Sequence, residues 1–381
     1  MREDVIVFPV IDWSFQRQRP QQLAIELGRR GRRVFYLTET FAPADLPRPY
    51  LFWGSPAENV YLVQLRCPEP HPNIYQGPPT SAQADALIDA IAALRKSCGI
   101  DALVSIVDLP FWRAVALALR GNVVVYDCMD HHAGFKNNDR RMLQEEDRLI
   151  READLVVTTS AGLSGRIAPL RPNVLIRNGC EAAHFRPEPG RPPHRFGDRP
   201  VVGYFGVLDH WLDTGLVAKA ARAYRDWDFV LIGRRQDCDL DALRRLHNVQ
   251  IVDEVPYASL PEFAHGFDVC IIPFLLNDLT RYTNPVKMYE YLAAGKPVVG
   301  TAMPEIMIGG EGLVYVATDS DDFVARLADA MARHDDPECV ERRIAFAAKQ
   351  TWADRVDRLE SALADLPARD RRNARTAAAV S

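Results

Sequence analysis

Short unbroken apolar runs recur along the first half of this chain. They fall at Val5–Val10, Val34–Leu37, Val60–Leu65, Ala102–Val107, Val123–Tyr126, Leu155–Thr159 and Val174–Ile176. Such runs mark strands buried on both faces of a parallel sheet. Between them, apolar residues return at helical spacing: after Pro20 (Leu23, Ala24, Leu27), over Ala82–Lys96, Pro110–Leu119, Arg140–Glu152 and Ala161–Ile167. The alternation predicts βαβ units, whose ligands gather at the carboxyl ends of the strands. Residues 43–80 are rich in Pro and Gly and read as loop apart from Val60–Leu65. Pro187–Pro200 carries Pro, Gly and Arg without apolar periodicity and reads as a linker. A second series of strands follows at Val201–Phe205, Phe229–Ile232, Val249–Val252 and Val269–Ile272. Ile344–Leu363 places Phe346, Trp352, Val356, Leu359 and Leu363 at helical intervals. Beyond Pro367 the Arg- and Ala-rich tail reads as disordered.

Composition narrows the class. With 381 residues the chain is long enough for two domains, each with a core. Hydrophobic content of 48% and charged content of 25% are those of a soluble globular protein. A net charge of -5 gives no footing for nucleic acid. Seven scattered cysteines without a C-x-x-C fit reduced thiols in a cytoplasmic protein. Met1–Pro9 is too short and wrongly flanked for a signal peptide, and no window approaches the roughly 20 apolar residues that cross a bilayer. Any membrane contact is expected to be peripheral.

The richest chemistry lies in TRYTNPVKMYEYLAAGKPVVGTAMPE, Thr280–Glu305. It reads as a polar loop, a helix capped by Asn284 with Pro285 in its first turn, a turn at Gly295 and a buried strand. Met288, Tyr289, Leu292 and Ala293 share an inward face, leaving Lys287 and Glu290 together on another. A lone K-x-x-E is ordinarily a wet helix face. A helix start with a lysine and a carboxylate also suits a diphosphate joined to a ribose, the cation and amides meeting the phosphates and the acid the sugar hydroxyls.

This segment resembles the P-x-K-x-x-E-Y-L-A-A-G-K-P-V-V donor-binding stretch of GT-B glycosyltransferases, particularly the retaining family 4. So do G-Y-F-G…W-L-D, W-D-F-V-L-I-G, the V-P-Y-x-x-L-P run and D-V-x-I-I-P-F, with Arg177–Glu181 and Phe185–Pro187 resembling the hinge. The resemblance covers most of residues 174–360 and is looser before them. It implies an α/β GT-B fold: two Rossmann-like parallel-sheet domains facing a central cleft, residues 1–187 and 200–345. A C-terminal helix, 346–366, would cross back to the first domain, leaving 367–381 as a flexible tail. It further implies sugar transfer from a nucleotide-diphosphate sugar, UDP foremost, to a hydroxyl of a saccharide or lipid-linked acceptor. From composition the chain is expected to be cytoplasmic, with the inner face of the plasma membrane as the alternative, and to have no nucleic-acid partner. Glu290 would hold the ribose, while Lys287, the backbone at Thr283 and Asn284, and Arg234 would hold the phosphates. Gly206 permits close approach, and Val255–Tyr257 would stack the base. Where many relatives carry a second glutamate, this chain has Tyr282.

No cofactor is expected: the D-x-D of C-D-L-D (Asp239, Asp241) reads as a solvated helix start, so transfer is expected to be metal-independent. Asp130 and His131, beside His132 at the end of a parallel strand, are the candidate catalytic groups, Asp130 as base in an inverting reaction. They read equally as a cap and surface histidines. Trp13, Arg17 and Arg19 read either as acceptor-side cleft residues or as loop anchors. Arg29, Arg30, Arg32 and Arg33 suit a helix C-terminus, and alternatively an anionic membrane surface. A nucleotide-sugar epimerase and a catalytically silent nucleotide-sugar-binding subunit remain the alternatives.

Overall fold

A computed structural model describes residues 3–134, 139–310 and 312–367; the tail beyond Pro367, read above as disordered, lies outside them. The chain divides into two compact units, Met1–Arg177 with Arg355–Ser381, and Asn178–Asp354.

In the first unit, strands β1 (Asp4–Phe8), β2 (Val34–Leu37), β3 (Tyr50–Ala57), β4 (Val60–Leu65), β5 (Leu103–Val107), β6 (Asn122–Cys128), β7 (Leu155–Thr158) and β8 (Val174–Leu175) form one sheet. Their order is β3-β4-β2-β1-β5-β6-β7-β8, with only β3 and β4 antiparallel. Every residue of β2, β5 and β7 is buried, as their apolar runs require. Helix starts are set locally: Thr80, Asp139 and Ser160 each accept an N–H three residues on. Near the C-terminus, Asp357 and Glu360 pair with Arg30, and Glu360 also pairs with Arg32. Arg33 pairs with Asp4, so these cations are met by carboxylates.

The second unit holds β9 (Val201–Phe205), β10 (Asp228–Ile232), β11 (Val249–Val252), β12 (Val269–Ile272), β13 (Val298–Thr301) and β14 (Val314–Ala317). This sheet is parallel throughout, in the order β11-β10-β9-β12-β13-β14. Chain connections leave in opposite directions from β9 and β12, which makes the carboxyl ends of these two strands the switch point where a ligand fits. Among the described residues no helix is long and apolar enough to cross a membrane, and all seven cysteines are free thiols.

Three expectations are corrected. Tyr50–Ala57, read as loop, is the edge strand β3; its middle residues are exposed, so no buried run marks it. Ile344–Leu363 is not one helix but parts of two, Pro337–Ala347 and Trp352–Ala364. The break is held by one tertiary bond and one local one: the Gln350 carbonyl accepts the Cys180 N–H, and Thr351 Oγ1 accepts the Asp354 N–H at the start of the second helix. Asn284 does not cap its helix, which runs Val286–Ala293 with Pro285 at the N-cap.

Candidate functional site

The Val286–Ala293 helix buries Met288, Tyr289, Leu292 and Ala293, as their spacing requires. Lys287 is thereby turned toward the switch point. Its ammonium lies 5.5 Å from the Tyr204 ring centroid and 5.1 Å from that of Phe274, residues at the ends of β9 and β12. It has no oxygen partner among the described residues. Gly206 lies against it: a Cβ there would stand 3.2 Å from Lys287 Nζ, and the backbone has a left-handed φ of 137°. Gly233 is closer still to that backbone, since a Cβ there would meet the Gly206 carbonyl oxygen at 2.0 Å. The loops after β9 and β10 are joined by Leu208 N–H to Arg234 O and Gln236 N–H to Leu208 O.

Burial pulls the Lys287 ammonium below the usual lysine range, with Glu290 acting the other way. Burial raises Glu290 above the carboxylate range; Lys287 opposes this and Glu181 adds to it. The two side chains therefore form a desolvated cation and acid three residues apart. The nearby Glu181 carboxylate was read in the sequence only as part of the hinge. Burial pushes the Tyr257 phenol far up, and the Glu290 and Glu181 charges add to it. Tyr257 stacks on His184 with centroids 4.8 Å apart, and His184 Nε2 lies 3.0 Å from the Tyr257 carbonyl oxygen. One face of that ring is thus occupied by His184, and Val255 beside it is half-buried.

Asn284 serves a network instead of a cap. Its side-chain oxygen accepts the Asn178 N–H at 2.9 Å, and its amide donates to Glu305 at 3.0 Å and to the Tyr289 hydroxyl at 3.1 Å. The Asn178 amide returns a bond to the Asn284 carbonyl at 2.7 Å. Thr283 Oγ1 donates to the Leu279 carbonyl, and Tyr282 closes the short turn Thr280–Tyr282. Arg234 is exposed and pairs with Glu254 at 2.9 Å.

In the first unit, Asp130 and His131 follow β6 in a turn pinned by Thr159 Oγ1 on the Met129 carbonyl at 2.8 Å. Burial, then the Asp127 charge, pushes the Asp130 carboxyl up to about 6. His132 is buried, which lowers its basicity. Arg19 is 4% exposed and grips Asp127 with two bonds, 2.7 and 2.9 Å, while Nη1 donates to the Ile176 carbonyl. It is an anchor between strand ends. Trp13 packs edge-on against Tyr36 with centroids 5.1 Å apart, and Arg17 is exposed. Asp108, which the sequence reading passed over, is 1% exposed at the end of β5. Neither of its carboxylate oxygens has a hydrogen-bond partner among the described residues. It follows Val107, which pairs in register with Tyr126, and burial, then the Asp127 charge, raises its carboxyl well above the usual range.

Asp239 accepts the Asp241 N–H at the start of the Asp241–Arg244 turn. The one group of metal-type donors found among the described residues is Asp209, His210 and Asp237, within 4.8 Å of one another.

Residues 199–333 match the family described as glycosyl transferases group 1. A Bacillus subtilis (strain 168) protein named as the teichuronic acid biosynthesis glycosyltransferase TuaH is 28% identical over 252 residues. That match covers 60% of this chain and 64% of the relative's length. Among solved structures, sucrose-phosphate synthase from Thermosynechococcus elongatus superposes with a TM-score of 0.72 at 14% identity, over 96% of this chain and 99% of that one. Anabaena HepE in complex with UDP and glucose gives 0.66 at 13%, over 96% and 100%. Trehalose-6-phosphate synthase of E. coli bound with UDP-2-fluoro glucose gives 0.69 at 11%, over 96% and 100%. The chain therefore has the GT-B fold of these glycosyltransferase structures, and its residues 199–333 are similar to the family described as glycosyl transferases group 1.

Proposed function

We propose that this protein transfers a glycosyl group from a UDP-sugar to a hydroxyl of a saccharide or lipid-linked acceptor. The observation that carries the reading is Lys287: an ammonium held against two aromatic rings at a sheet switch point, without an oxygen partner among the described residues. A desolvated cation at a helix start is a receptor for an anion, and a diphosphate supplies one. Glu290, buried one turn on, would accept the ribose hydroxyls. The complexes of HepE with UDP and of trehalose-6-phosphate synthase with a UDP-sugar support uridine as the base. The likeness to TuaH supports a polysaccharide-type acceptor.

Two electrostatic demands follow from the reaction. Charge builds on the leaving diphosphate as the C1–O bond breaks, and Lys287 with the first amides of its helix would meet it. The acceptor hydroxyl must lose a proton, and Asp130 is the group we assign to take it. Transfer then needs no metal, and excess EDTA should leave the rate unchanged. Calorimetric titration with UDP tests the donor half. Wild-type protein should bind, and Lys287→Ala and Glu290→Ala should each weaken binding; undiminished affinity in both variants would remove the assignment.

A further inference from the structure

The edge hairpin of the first unit carries a feature that neither donor binding nor proton transfer uses. Phe52 pairs with Val63 and Gly54 with Leu62, so two steps along β3 match one along β4 and Trp53 is the extra residue of a β-bulge. Bulges re-aim side chains at sheet edges. Here the result is an indole 64% exposed to solvent, the most exposed large apolar side chain among the described residues. The protein has six tryptophans. Trp112 and Trp352 are buried, while Trp13, Trp211 and Trp227 are half-buried.

Exposure alone would leave such a ring free to turn, but this one is fixed. Trp53 Nε1 donates to Gln64 Oε1 at 3.0 Å, and Gln64, only 9% exposed, donates in turn to Thr40 Oγ1 at 3.0 Å. The ring thus presents an open apolar face bordered by an amide and a hydroxyl. The two strands, 50–57 and 60–65, carry no charged side chain; Glu58 stands in the turn, and Arg48 and Arg66 lie at the base, so the face around Trp53 offers no cation cluster to an anionic bilayer or a nucleic acid. Pro56 and the bulge blunt the edge against addition of another strand.

A neutral, orientation-fixed indole with polar groups at its border matches one ligand chemistry well. A pyranose ring offers an apolar C–H face for stacking and equatorial hydroxyls for the border. We propose that Trp53 is a stacking platform that docks a neutral saccharide chain on the first unit, with Gln64 holding the indole and the exposed Thr40 hydroxyl meeting the sugar. The site rests on the saccharide-acceptor reading above and is separate from the donor-binding residues.

The test uses the whole protein and three probes: cellohexaose, maltohexaose and chitohexaose, titrated against tryptophan fluorescence and by calorimetry. At least one probe should shift the emission of wild-type protein. Trp53→Ala should abolish that shift and weaken binding about tenfold or more, while Trp53→Phe retains part of the affinity. UDP affinity and melting temperature should be unchanged in both variants, since Trp53 is exposed and lies in the other unit from Lys287. Loss of UDP binding in Lys287→Ala tests the donor reading separately, so the two can fail independently. The proposal is overturned if no probe gives a Trp53-dependent change, or if the shift persists in Trp53→Ala. It is equally overturned if the Trp53 emission responds instead to phosphatidylcholine vesicles, or to dimer formation detected by sedimentation.

Discussion

Lys287 shows how much a residue's chemistry depends on what surrounds it. An exposed lysine is a hydrated point charge, but this one lies against Tyr204, Phe274 and Gly206, and its ammonium is easier to lose than usual. A bound diphosphate would favour the charged form. UDP affinity should therefore fall as pH rises through the lowered lysine range, earlier than for an ordinary lysine, and calorimetry across a pH series reads this directly. Lys287→Ala should cost about 10- to 100-fold in affinity, in line with charge-assisted hydrogen bonds worth about 1.5–3 kcal/mol. Asp130 obeys the opposite sign. Its carboxyl is pushed up to about 6, so the ionised form that the proposed base role requires is depleted below that pH. Transfer should decline on acidification through about pH 6, and Asp130→Asn should lower the rate about 10²- to 10⁴-fold while UDP binding persists. Equal transfer by the variant would take Asp130 out of the reaction.

At the level of elements, the Val286–Ala293 helix is held by more than its apolar face. Asn284 ties its start to Asn178, Glu305 and Tyr289, and Asn178 bonds back to the Asn284 carbonyl. Asn284→Ala removes three of these bonds at a buried position and should cost about 2–4 kcal/mol, near 1 kcal/mol or more for each buried bond lost. Thermal unfolding should show the loss, and UDP affinity should weaken with it, because the helix start would no longer be fixed. Gly233→Ala is a backbone test of the neighbouring loops: the added Cβ would stand 2.0 Å from the Gly206 carbonyl oxygen. That loop must move, and it borders Lys287, so reduced UDP affinity is expected alongside a lowered melting temperature.

For the molecule as a whole, each unit is built around its own parallel-stranded core sheet. In the first unit, Arg19 clamps Asp127, 108 residues away in sequence, and the carbonyl at Ile176. Arg19→Met would strand a buried carboxylate, and breaking such a pair costs about 3–5 kcal/mol. The variant should unfold at markedly lower denaturant concentration than wild type. An unchanged midpoint would mean that water already satisfies Asp127.

Much of this architecture was legible in the chain itself. Strands buried on both faces must be apolar throughout, so the runs at Val5, Val34, Val104, Val202, Val269 and Val298 announced themselves without knowledge of their neighbours. Helical spacing likewise told which face of Val286–Ala293 would be buried, and so brought Lys287 and Glu290 together. What local pattern could not carry was partnership across distance. Asn284 looked like a cap because its nearest backbone invited one, yet Asn178 and Glu305 claimed it. Arg19 looked free until Asp127 was beside it, and Glu181 showed its charge to Glu290 only after the hinge folded back. Trp53 lay in a Pro- and Gly-rich stretch with no periodicity, because a bulged edge strand buries neither face. Which segments are buried is written in single residues and their spacing, and so can be read along the chain; which polar groups meet depends on how distant segments pack, and so emerges only on folding.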